Sequence, residues 1–320
     1  VPADTNTVYV VNQNDNTVTP IGYPSNTVHS PITVGAHPQN VVVTPDGTKA
    51  LVTNYNDGTV SVIEVSTNTV IDTRTCGTNP WGIVISPDST TAYVSDYGSS
   101  YLSVLNISTG AVATYYISSQ TYGYVGVGIT PDGSKVYVAS SRNGSVYEFN
   151  TSTHAVATVT SSLGSPFGCV VSLDGTKLFV CDNSDSHVYV YDTSTHSLIT
   201  SRSGAANSPC AIILSADGST VYLANSGGGL GIGEMLTASP YTTGAFGGAS
   251  FQAVAETPDG AQIYATYPGG NSVRPYTPSG TPGSAITVGS NPQGIAITPN
   301  AAPPFTGSLW KQTIWGQVIS

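Results

Sequence analysis

Val41-Val42-Val43-Thr44-Pro45-Asp46-Gly47-Thr48-Lys49-Ala50-Leu51-Val52-Thr53-Asn54 decides the fold. Two runs rich in β-branched and apolar residues flank a Pro that fixes φ and an Asp-Gly pair that supplies turn geometry, so the stretch predicts a β-hairpin. The hairpin returns at Asp88, with Ser in place of Gly, and at Asp132, Asp174, Asp217 and Asp259; its first half returns once more at Asn300. Successive positions differ by 42, 44, 42, 43, 42 and 41 residues. One four-stranded propeller blade takes up about 40 to 45 residues. Seven turns therefore predict an all-β, seven-bladed β-propeller.

Within the first complete repeat, strands are expected at Asn40 to Thr44 (A), Ala50 to Asn54 (B), Thr59 to Val65 (C) and Val70 to Thr75 (D), separated by turn-rich polar segments. Strand B recurs as Val8-Tyr9-Val10-Val11-Asn12, Ala50-Leu51-Val52-Thr53-Asn54, Ala92-Tyr93-Val94-Ser95-Asp96 and Val136-Tyr137-Val138-Ala139-Ser140. It continues as Leu178-Phe179-Val180-Cys181-Asp182, Val221-Tyr222-Leu223-Ala224-Asn225 and Ile263-Tyr264-Ala265-Thr266-Tyr267. On this motif, carried from residue 7 to 300, the chain resembles the YVTN β-propeller repeat family. That resemblance implies a surface-layer or secreted binding and scaffolding module at a cell surface or outside the cell. It does not by itself imply a ligand, because one fold carries many activities.

The chain opens on a strand B without a strand A, and Gly294 to Thr298 offer a strand A without a strand B. Pairing Gly294–Thr298 with Val8–Asn12 would build the seventh blade from both ends and hide two raw edges. One propeller domain is thus expected over residues 1–300, with residues 301–320 as a C-terminal tail. Ser226-Gly227-Gly228-Gly229-Leu230-Gly231-Ile232-Gly233-Glu234-Met235 departs from the repeat and reads as a degenerate outer strand. Two of the three Trp residues, Trp310 and Trp315, fall in the tail, where they are expected to dock on a partner or on another copy of the chain.

Charged residues make up only 8% of the 320, with 8 Lys and Arg against 18 Asp and Glu and a formal charge of −10. So few cations cannot assemble a basic patch, which excludes nucleic acid and anionic membranes as partners. The same scarcity of carboxylate pairs predicts tolerance of acid. No apolar run approaches the roughly 18 residues of a membrane span. The start Val1-Pro2-Ala3-Asp4 would suit the mature end of an exported chain.

Propeller ligand sites gather where loops enter strand A and leave strand B. Aligned on the turn, one slot there holds Gln39, Trp81, Val125, Phe167, Cys210, Gln252 and Gln293. A slot serving packing alone would repeat from blade to blade, whereas this one varies. A neighbouring slot is apolar in six blades but holds Glu256 in the other, and a buried carboxylate needs a partner or a proton. Of five histidines, His37 lies near this mouth, while His154 and His196 fall in outer C–D turns.

His37, Gln39, Trp81, Phe167, Gln252, Glu256 and Gln293 are the candidate binding residues. A protein partner is the first expectation. The alternatives are a lactonase- or lyase-like enzyme using Glu256 and His37, and a lectin stacking sugars on Trp81, Phe167 and tyrosines. No set of converging metal ligands, phosphate loop or nucleophile motif is visible, so no metal or cofactor is expected. Asp182-Asn183-Ser184-Asp185 reads as an ordinary B–C turn. Cys169 and Cys181 stand equidistant from Gly175 and are expected to face each other, as a disulfide or as two buried thiols. Asn106, Asn143 and Asn150 head glycosylation sequons.

Overall fold

The computed structural model describes residues 3–119 and 122–300. Among them the strands form seven four-stranded antiparallel sheets. Blade 1 comprises Pro38–Val43, Lys49–Asn54, Thr59–Glu64 and Thr69–Thr75, within two residues of each expected boundary. The inner strands of blades 2 to 6 are Pro80–Ile85, Tyr124–Ile129, Pro166–Val171, Pro209–Leu214 and Val254–Glu256. Blade 7 is the seam: inner strand Pro292–Ile297 pairs with Asn6–Asn12 in the register Val8 to Ile297 and Val10 to Ile295. Head and tail of the ring thus share one sheet, which removes two open edges. Tyr23 and Tyr264 reinforce the junction between blades 6 and 7, their hydroxyls donating to Asp259 Oδ2 at 2.8 Å and Asn26 Oδ1 at 2.7 Å.

Burial falls from the axis outward, because inner strands are covered on both faces and outer ones on one. Pro38–Val43 and Tyr124–Ile129 are buried at every residue, while outer strand Thr69–Thr75 alternates exposed and half-buried positions. The repeated turn explains the sequence rule that led to the fold. In all six Asp-centred A–B turns a Thr or Ser hydroxyl two residues earlier donates to the Asp Oδ1, which also accepts the N–H two residues later. Burial alone would raise these carboxyls; the donors outweigh it and hold Asp46, Asp88, Asp132, Asp174 and Asp259 below their ordinary value. At Asp217 the Ser215 hydroxyl is the largest influence and acts in the same direction. A lowered folded value means stability that is present above about pH 4 and lost as pH falls through it. The acid tolerance expected from scarce ion pairs therefore ends where these turns protonate.

The strand-B hydroxyl of the repeat joins one blade to the next. Thr53 Oγ1 accepts the Asn40 N–H of its own blade (3.1 Å) and donates to the Trp81 carbonyl of the following one (2.8 Å). Ser95 does the same with Gly82 and Val125, and Thr266 with Ala253 and Gln293. The strand-B Asn beside it pins strand C: Asn54 Nδ2 donates to Thr59 and Ser61, Asn12 Nδ2 to Thr17 and Thr19.

Two expectations are corrected. Residues Gly231–Leu236 form a regular third strand rather than a degenerate outer one, and Gly233 is required there because a Cβ would meet the Ala205 carbonyl. Cys169 and Cys181 do not face each other. Cys169 pairs with Val180 and Cys181 with Gly168, so the two thiols point to opposite faces of the sheet, both unbridged. Burial pushes the Cys169 thiol up to about 12, which leaves it inert at neutral pH.

Replacing Thr53 with Val keeps the shape but leaves the Trp81 carbonyl and the Asn40 N–H without their partner. The expected cost is about 1–3 kcal/mol, read as a lower urea midpoint with an unchanged slope.

Candidate functional site

Six of the seven inner strands, all but that of blade 6, carry an irregularity near their start. Pro38 pairs with Asn54 but Asn40 with Thr53, so Gln39 is an extra, bulged residue. The same shift falls at Trp81 and Gly82, at Val125 and Gly126, at Phe167 and at Cys210, and the seam pairing shifts beside Gln293. The variable slot of the sequence is thus the bulge position, and a bulge bends a strand and re-aims its side chain. These side chains gather at the end of the disc where the D–A and B–C loops meet.

Half of that mouth is aromatic. The Trp81 ring lies 5.3 Å from Tyr97 at a shallow 31°, and meets Tyr55 at 5.7 Å and Phe167 at 6.3 Å edge to face. His37 joins through Tyr55, ring centres 5.6 Å apart. All five rings are partly exposed. Burial, and then the neighbouring Tyr97, raise the Tyr55 phenol, which stays a hydrogen-bond donor. Nε1 of Trp81 and Nδ1 of His37 are buried without a protein partner.

The other half is built from amides. Gln252, just ahead of the inner strand of blade 6, is followed around the ring by Gln293 and Gln39 at the irregularities of blades 7 and 1. Gln293 Nε2 donates to Asn291 Oδ1 at 3.0 Å, and Asn291 Nδ2 to Gln13 Oε1 at 2.6 Å, forming a continuous amide chain.

His37 sits where the backbone must turn into strand A, at φ 56°. The equivalent residues Asn79, Ser208 and Asn291 share that left-handed conformation, so the position is set by the turn and only the ring of His37 is free to serve recognition. Glu256 does not join the mouth. It ends its strand A at the A–B turn, where its Oε2 accepts the Ala216 N–H of the preceding blade's turn. Gln252, at the mouth, is four residues and roughly 13 Å away along the strand. The enzyme-like pair of His37 and Glu256 is therefore split between opposite ends of the disc, and the partner Glu256 needed is found in the neighbouring hairpin. Tyr55, Tyr97, Gln13 and Asn291 were missed by sequence reasoning. The first three occupy the slot directly after the strand-B Asn or Asp, and the last precedes a strand-A Pro, so the repeat alignment held the signal.

Asp182, in the segment read as a turn, spends its carboxylate on the Gly164 and Ser165 N–H groups and on Ser184. Asn106 and Asn150 end their third strands at the C–D turns, with Oδ1 engaged by nearby Ser and Thr groups, and Asn143 Nδ2 donates to the Tyr147 hydroxyl at 2.7 Å. Among the described residues no group of three or more His, Cys, Asp or Glu converges as a metal site, and no helix is long and apolar enough to cross a membrane. Trp310 and Trp315 lie outside the described residues.

No protein-family model and no curated protein matches the chain in sequence. Solved structures match its fold. A functionally unknown protein from Desulfotomaculum acetoxidans superposes with a TM-score of 0.80 at 18% identity, covering 92% of this chain and 99% of that one. A putative 6-phosphogluconolactonase from Bacteroides uniformis and the periplasmic gluconolactonase of Pseudomonas aeruginosa each give 0.73 at 15% identity, with 92% and 99% of the two chains covered. At these identities the likeness establishes the propeller and nothing of its chemistry.

Beneath the mouth, Asp96 stands in the slot that is Asn in blades 1, 5 and 7. Burial raises its carboxyl to about 7, although the Ser103 hydroxyl donates to Oδ2 at 2.8 Å, and Oδ1 is buried without a partner. A raised folded value stabilises the protonated form, so this group's contribution is full below the ordinary value near 4 and is lost as pH rises toward 7. In blade 1 the Asn54 amide donates to Ser61, the counterpart of Ser103. Asp96→Asn should therefore raise stability by on the order of 2–4 kcal/mol at pH 8 and change it little at pH 4.5. Denaturation midpoints at the two pH values check the difference.

Proposed function

We propose that the chain is a non-enzymatic interaction propeller of the cell exterior, a rigid and weakly charged disc that recognises its partner with the loop-lined mouth of the ring. The observation that carries this reading is the chemistry of the mouth: partly exposed aromatic rings facing a run of carboxamides, with the buried Glu256 at the other end of the disc. Such a surface binds and orients; the carboxyl near it that is raised toward neutrality, Asp96, is buried beneath the rings. The strand-B motif, with its resemblance to surface-layer and secreted YVTN propellers, and a surface nearly free of Lys and Arg support an exported location.

A lactonase is the second reading, favoured by the descriptions of two structures that share the fold. It would draw on His37, whose ring joins the aromatic cluster, or on Asp96 beneath it. Screening the purified chain against sugar lactones at pH 6–8 is expected to give no hydrolysis above buffer. Turnover abolished by His37→Ala would reject the binding reading in favour of the enzyme.

Residues 301–320 belong to the same proposal as a docking segment, with Trp310 and Trp315 as its anchors on a neighbouring copy or another protein. Light scattering of the full chain and of a variant ending at residue 300 should show a smaller assembly for the shorter one. Identical masses would remove the tail from the mechanism.

A further inference from the structure

Resting on the reading of the mouth as a recognition surface, we infer that its ligand is an uncharged saccharide, stacked on the rings around Trp81 and held across the opening by the carboxamides of Gln252, Gln293 and Gln39. The rings come from blades 1, 2 and 4 and the amides from blades 6, 7 and 1, so the two chemistries occupy adjoining arcs of one opening that meet at blade 1. A pyranose has the matching two-sided character. One face carries polarised C–H groups that sit well on the negative face of an aromatic ring, and the rim carries vicinal hydroxyls that both donate and accept. A carboxamide presents an acceptor and two donors in one plane, which suits such a hydroxyl pair. The bulged backbone supports both arcs, and bulges hold side-chain direction rigidly enough to discriminate.

Charge on this face decides against an anionic sugar, a phosphate or an amine. Three of its carboxylates are turned onto backbone amides: Asp15 Oδ2 accepts the Ser290 N–H at 2.7 Å, Asp57 Oδ2 the Ala36 N–H at 2.6 Å, and Asp182 the Gly164 N–H at 2.7 Å; Asp185 is paired with His187, and Asp96 is buried with its carboxyl raised toward the neutral form. Arg142 lies over the Tyr122 ring, 4.7 Å from its centre, outside the Trp81 cluster. No cation is therefore aimed at the rings or the amides among the described residues. The cluster also holds two polar atoms with no protein partner, Trp81 Nε1 and His37 Nδ1. A hydroxyl brought between the rings supplies an acceptor for the first and a partner for the second.

The experiment uses the full chain on an array of neutral oligosaccharides, their uronate and sulfated counterparts, and a peptide library, with titration calorimetry on any hit. At least one neutral series is expected to bind. Trp81→Ala should weaken it by at least about tenfold and Gln293→Ala by several-fold, with Trp81→Phe retaining part of the affinity. Unchanged melting of Gln293→Ala and Trp81→Phe separates lost contacts from lost folding. Binding confined to uronates or sulfates, or neutral-glycan binding indifferent to both substitutions, overturns the saccharide inference. Peptide binding that disappears in Trp81→Ala, with no glycan bound, overturns it too but leaves the mouth as the recognition surface. Partner binding that ignores every mouth substitution removes both.

Discussion

Crowding at the axis governs this molecule. Seven inner strands meet around one channel, and each packs directly against the next. Beside the bulge several blades leave no room for a Cβ: one on Gly82 would meet the Val125 carbonyl, on Gly126 the Phe167 carbonyl, and on Gly294 the Gln39 carbonyl. The carbonyl of the residue just before that position is the group that Thr53, Ser95 and Thr266 bind from the previous blade. The side chain of that residue is left pointing out of the ladder. One steric constraint thus fixes blade-to-blade contact, the shape of the ring and the set of side chains displayed at the mouth.

The architecture was legible because its signals are local and repeated. An Asp-centred turn between two apolar runs is read without tertiary information, and its spacing counts the blades; the half-repeats at the two ends then leave the seam as their only economical pairing. Side-chain facing was less legible. Cys169 and Cys181 are symmetric about Gly175, but the hairpin's centre falls between Asp174 and Gly175, as the pairing of Val171 with Leu178 shows. An offset of one residue exchanges the faces of a strand, so thiols that look opposed in sequence lie on different sides of the sheet. Glu256 was visible as an anomaly in its slot, yet the slot belongs to the turn end of the strand. Its partner, a backbone N–H at Ala216, leaves no trace in residue identity.

Tyr55 and Tyr97 show a different limit. Their slot follows the strand-B Asn, a residue whose identity is dictated by structure: Asn12 and Asn54 each tie two strand-C hydroxyls. Past that residue the chain is released into a loop, and nothing in packing prescribes what stands there. Such positions recur in place but not in identity, and recurring identity is what the sequence reading followed. They become informative only once the ring brings residues from separate repeats, such as Trp81 and Phe167, within 6.3 Å.

The two ends of the disc therefore carry different kinds of information. At the A–B end the Asp-centred turns repeat, each carboxylate satisfied by its own turn, and this end describes the framework that the chain shares with other propellers. At the mouth the bulge and post-Asn slots vary from blade to blade, because the backbone there holds a side chain's direction without choosing its chemistry. A superposition scores the backbone of both ends and is blind to the side chains displayed at the mouth. Likeness in fold to a gluconolactonase is thus compatible with any mouth at all, and the mouth of this chain must be read from its own rings, carboxamides and spent carboxylates.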